Sequence, residues 1–87
     1  MSAMIVHLQV KDYGLWRQAF EASTPNRRAD GFLSDQIFRS ENDENDLILL
    51  MQVADIAKAK KFAASAGRKA AMERNGVIGA PMDYFID

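Results

Sequence analysis

The chain has 87 residues, 48% of them hydrophobic and 26% charged, with a net charge of −1 and no cysteine. That length makes one small domain whose thin core needs help, most naturally from oligomerisation. The composition argues against disorder, the charge against a broad basic field for nucleic acid or an anionic membrane, and the missing thiol excludes disulfides, thiol catalysis, Fe–S clusters and thiolate zinc sites.

The opening MSAMIVHLQV lacks the basic and long apolar segments of a secretory signal. No apolar run approaches the roughly 20 residues of a membrane span, so the expectation is a cytoplasmic protein. Residues 4–10 alternate as a strand, with Met4, Val6, Leu8 and Val10 on one face and Ile5, His7 and Gln9 on the other. Asp12 then occupies an N-cap position, and Tyr13, Leu15, Trp16, Ala19 and Phe20 fall on one arc of the following helix. Pro25 predicts a kink or restart with Thr24 as cap, and Gly31 a C-terminal stop.

A second strand is predicted over residues 32–40, a polar turn at ENDEND (41–46) and a third strand over residues 47–53. This third strand is apolar on both faces up to Gln52, a pattern that belongs to a sheet covered on both sides. Asp55 caps a second main helix with Ile56, Ala59, Phe62, Ala63 and Ala66 inward; Lys58, Lys60, Lys61, Arg68 and Lys69 read as a solvated face. Gly67 interrupts this helix, a short one runs from Arg68 to Asn75 and stops at Gly76, Pro81 breaks the chain, and residues 82–86 form a last edge strand.

The order is β-α-β-β-α-β, and LQVKD (8–12) returns as MQVAD (51–55). Each copy ends a strand and caps the next helix. Two such halves related by a pseudo-twofold make an α+β, ferredoxin-like plait with a four-stranded antiparallel sheet. Two main helices cover one sheet face, whereas Ile5, Ile48 and Leu50 leave the other apolar. The expected remedy is a homodimer packed through that face.

The segments VKDYGLWRQAF (10–20), GFLSDQIFRSENDENDLILLMQVAD (31–55) and AMERNGVIGAPMDYF (71–85) resemble the dimeric α/β-barrel superfamily. Within it the chain looks most like small bacterial proteins grouped with antibiotic-biosynthesis monooxygenases and polyketide-cyclase-like barrels. The resemblance implies ferredoxin-like subunits paired into an α/β barrel. It also implies that a cofactor-independent oxygenase or cyclase, acting on a small aromatic or polyketide-like molecule, is one reading of the function. Such a site would place Trp16, Phe20, Met72 and Ile78 around an apolar ligand pocket, with His7 and Tyr84 as catalytic proton-handling groups. No cofactor and no metal is expected in it.

Plainer readings stand beside these. His7, the one histidine, also suits a hydrogen-bonded place at the dimer interface, and Trp16 a core aromatic between helix and sheet. ENDEND lacks the ligand spacing of a calcium loop, no His, Asp and Glu set has metal-ligand spacing, and the strands lack the aromatic signature of RNA-binding sheets. The alternative function is a non-catalytic dimeric module that binds a small ligand or serves in assembly, and a pocket under helix one separates the two.

Overall fold

The computed structural model describes residues 1–87. Its elements are β1 (Ser2–Val10), α1 (Tyr13–Ala22), α2 (Thr24–Ala29), β2 (Gln36–Arg39), β3 (Asp46–Val53), α3 (Ile56–Ala63), α4 (Ala66–Arg74) and β4 (Val77–Ile86). The strands form one antiparallel sheet in the order β2-β3-β1-β4. This is the ferredoxin-like arrangement.

The two copies of the repeated phrase are structurally equivalent joints. Val10 and Val53 are both buried at strand ends. Asp12 and Asp55 follow with nearly the same backbone angles, φ −148° and ψ 109° against φ −145° and ψ 112°. The Asp12 carboxylate accepts from the Leu15 amide, and that of Asp55 accepts from the Ala57 and Lys58 amides. Each satisfies amide groups that the first helical turn leaves unpaired.

The inward faces of β1 and β3 supply most of the core. Met4, Val6, Leu8 and Val10 alternate with the outward residues of β1, as do Leu47, Leu49, Met51 and Val53 in β3. Trp16, Phe32 and Ala59 close the cluster from the helical side. Leu15 departs from the expected stripe: it is 66% exposed, because it lies about 100° round the helix from Trp16, whose line with Phe20 faces the sheet.

Three boundaries ahead of β4 differ from the sequence reading. β2 is four residues long, since Asp35 turns inward to Arg27 and Arg28, leaving Phe32 joined to the sheet by a single bridge to Val53. The helix pair α3–α4 breaks at Ala64 and Ser65 rather than at Gly67; the Ser65 hydroxyl accepts from the Arg68 amide and caps α4. At the start of α2 the cap position falls on Ser23 instead of Thr24.

β4 begins at Val77, five residues before the expected strand. Its register against β1 jumps from His7–Met82 to Gln9–Ile78, so Gly79, Ala80 and Pro81 bulge out of the ladder. Gly79 takes φ +69°, a conformation that costs other residues a clash of their Cβ. Proline is tolerated there because the strand is an edge and the bulge needs no ladder donor. At the other end of this pair, Ala3 stands opposite Ile86, and the Ser2 hydroxyl donates to Asp87 at 2.6 Å.

All four helices lie on one side of the sheet. The opposite face carries Ile5 and His7 of β1, Phe38 of β2, Ile48 and Leu50 of β3, and four apolar or aromatic side chains of β4. Phe38, Ile48, Ile78, Met82, Tyr84 and Ile86 are each between 39% and 53% exposed there.

Candidate functional site

A cavity of about 560 Å³ lies between the helices and the sheet. Its floor is the inward side of β1 and β3, including Met4, Val6 and Leu49. One of its walls is aromatic. Because Asp12 fixes where α1 begins, Trp16 and Phe20 fall one turn apart on the inward line. Their rings stack at 4.8 Å between centroids and 21° between planes. Such offset pairs are favoured by ring electrostatics as well as by burial. Phe62 of α3 and Met72 of α4 complete the apolar lining.

Two buried arginines border this apolar space. Arg27 of α2 lies over the Phe20 ring, 3.6 Å from its centroid. Its Nε donates to Asp35 Oδ1, Nη1 to the Phe20 carbonyl and the Ser23 hydroxyl, and Nη2 to the Thr24 hydroxyl and Asp35 Oδ2. All five guanidinium N–H groups therefore have partners within the protein. Arg28 also donates to Asp35, at 2.8 Å. Burial opposes ionisation of Asp35, but hydrogen bonds from Arg28 and Arg27, with their positive charge, prevail and hold its carboxyl below the usual range.

Arg68 of α4 is gripped differently. Nη1 and Nη2 donate to the two Asp83 oxygens, both at 2.7 Å, and Nη1 also to the Ala63 carbonyl at 3.2 Å. This is a two-pronged, charge-assisted pair. Asp83 reaches it from the inward face of β4, opposite Val6 and just beyond the bulge. Behind the pair lies a second, open groove of about 760 Å³ between α4 and β4. Arg68 and Met72 border both spaces, whereas Asp83 borders the groove alone.

The six side chains expected at the site fall into two sets. Trp16, Phe20 and Met72 line the cavity together. His7, Tyr84 and Ile78 stand on the opposite, helix-free face: Tyr84 pairs with Ile5, His7 with Ile48 and Met82, and Ile78 with Gln9. Strand alternation separates them, since Ile78 follows the inward Val77 and Tyr84 follows the inward Asp83. His7 Nε2 sits 2.7 Å from Asp46 Oδ1, so the histidine is held by a carboxylate amid apolar neighbours. A single site containing all six does not form within one chain.

Sequence reasoning missed the arginine–aspartate pairs. Arg68 reads as part of a solvated basic face, yet it is buried. A usable signal was its spacing: Arg68 lies four residues before Met72, hence on the same side of α4. Asp83 likewise lies two residues before Phe85 and shares its inward face. Nothing comparable distinguishes Arg27 from Arg28.

No protein-family model matches the chain, and no curated protein matches it. Solved structures do match. A proposed antibiotic biosynthesis monooxygenase from Bordetella bronchiseptica superposes with a TM-score of 0.77 at 14% identity, over 99% of this chain and 94% of that one. One from Caulobacter crescentus gives 0.72 at 22% identity, over 99% and 87%. SnoaB, a cofactor-independent oxygenase from Streptomyces nogalater, gives 0.73 at 11% identity, over 99% and 90%. At these identities the likeness is one of fold: the chain has the ferredoxin-like fold of antibiotic-biosynthesis-monooxygenase-like proteins across nearly its whole length.

Proposed function

We propose that this chain binds a small, flat, mainly apolar molecule in the cavity under α1 and α4, and acts on it as a cofactor-independent oxygenase or cyclase. The observation that carries this reading is the cavity itself: about 560 Å³ with a stacked Trp16–Phe20 wall, within the range that holds small-molecule ligands. SnoaB, with the same fold, is a cofactor-independent oxygenase, which supports oxygenation over cyclisation.

One observation favours a second reading, a binding module without catalysis. The lining contains no carboxylate, imidazole or phenol to take a proton. His7 and Tyr84 reach a ligand as acid or base only if it lies against the other face, where a partner would cover them. We therefore place the expected homodimer on that face, with the His7–Asp46 pair inside the interface.

Trp16 is the one tryptophan and reports on the cavity. Titration with an electron-rich dihydroxynaphthalene should quench its fluorescence, and oxygen uptake should accompany binding. Quenching without uptake excludes the oxygenase, and quenching that leaves the probe chemically unchanged selects the binding module. For Phe20→Ala, which removes half of the wall while keeping the reporter, the expected loss of affinity is about tenfold, corresponding to one aromatic contact. Unchanged affinity in that variant would remove the cavity from consideration.

A further inference from the structure

We infer that the ligand carries an anionic group, a carboxylate or an ionised phenol, and that Arg68 is the side chain that receives it. This rests on the cavity being the binding site. The cavity lining includes Arg27, Arg68 and Arg74 together with Asn26 and Asn75, and no acidic residue. The two carboxylates that balance the buried arginines, Asp35 and Asp83, are absent from its lining. A ligand inside thus meets N–H donors and positive charge on its polar edges, and no negative group at contact distance.

Of the two buried arginines, one has capacity to spare. Arg27 uses all five N–H groups on protein acceptors. Arg68 makes three hydrogen bonds, two to Asp83 and one to Ala63, which leaves Nε–H and one further N–H. Asp83 fixes the guanidinium plane without blocking those donors, so the orienting cost of binding an oxyanion is already met in the free protein.

The position of Arg68 also sets the ligand's direction. Because Arg68 and Met72 border both the cavity and the outer groove, the charged group sits at their junction, near water, while the ring extends toward Trp16 and Phe20. A neutral hydrocarbon would fill the same space but leave these donors unanswered.

The test uses two probes of one shape, 2-naphthoate and 2-naphthalenemethanol, titrated against the intact protein by Trp16 fluorescence. The expected result is naphthoate binding about tenfold tighter or more, the value of one charge-assisted hydrogen bond in a partly buried site. Arg68→Gln combined with Asp83→Asn exchanges the ion pair for an amide pair and leaves no stranded carboxylate. It should abolish the preference, with the naphthoate affinity falling to that of naphthalenemethanol. Arg68→Lys, which keeps the charge but loses the planar fork, should retain part of it and covers the case in which the double variant does not fold. Equal binding of the two probes to the wild type, or an undiminished preference in either the double variant or Arg68→Lys, overturns the assignment. Failure of both probes to bind overturns the cavity reading on which it rests.

Discussion

Asp35 shows how much one side chain can hold in place. It joins the loop before β2 to two arginines of α2, and one of these, Arg27, lies on the cavity wall against Phe20. Its carboxyl titrates below the ordinary value of 3.8 despite burial, because Arg28 and Arg27 donate to the ionised form. The sign follows directly. A depressed folded-state pKa adds stability that is fully present above the unfolded value and is lost as pH falls through the folded one. Asp35→Asn should therefore cost about 1 kcal/mol at pH 7, the value of charge-assisted hydrogen bonds in a partly buried, solvent-screened site. The gap to wild type should narrow as the pH falls below about 4, where an unfolded aspartate begins to take up its proton. Urea unfolding at pH 7 and pH 3 measures both; a gap of constant size would show that the pairing does not depend on the charge. None of this could be read from residues 27, 28 and 35 in isolation. Their meeting depends on the chain turning back after Gly31, and only the fold brings them together.

At the scale of elements, the repeat was the most legible feature. Both strand ends, both capping aspartates and the outward glutamines stand where LQVKD and MQVAD imply, because period-two burial and cap chemistry are local rules. The caps differ in one respect. Asp55 accepts from two amides and Asp12 from one, so Asp55→Ala should destabilise more than Asp12→Ala. Each is expected to cost about 1 kcal/mol, with the larger effect at Asp55, in denaturant unfolding of the two variants. Equal losses would mean that the second bond adds nothing. The elements that were misjudged are those governed by distant partners. β2 shortens because Asp35 leaves the strand for α2, and β4 lengthens because an edge bulge accommodates Gly79 and Pro81. The first event has no signature within its own segment, and in the second Pro81 reads as a strand breaker although an edge bulge accommodates it. The candidate site was legible only in part: the helical stripe put Trp16 and Phe20 on the inward line, Met72 followed from the resemblance alone, and the placing of Tyr84 and Ile78 depended on the register of a strand that begins earlier than its pattern implies.

At the scale of the whole molecule, the helix-free face of the sheet dominates. It gathers Phe38, Ile48, Ile78, Met82, Tyr84 and Ile86 into one partly exposed apolar surface, larger in kind than scattered surface hydrophobes. Covering it with a second copy is the expected arrangement. Sedimentation of the wild type should then give twice the 9.7 kDa chain mass. Ile48→Lys, at a position already open to solvent within the chain, should yield a folded species of single mass; a wild type that sediments as a monomer would dismiss the interface. A different consequence follows from the ends of the sheet. The Ser2 side chain touches Asp87, and Ala3 lies beside Ile86, so a short linker can join tail to head while new ends are opened in the ENDEND turn. The rearranged chain runs β3-α3-α4-β4-β1-α1-α2-β2. Renumbered, its order is again β-α-β-β-α-β and its sheet is again 4-1-3-2, so this architecture is its own circular permutant. Such a rearranged chain should fold with an unchanged circular dichroism spectrum, having exchanged its first half for its second without altering the topology.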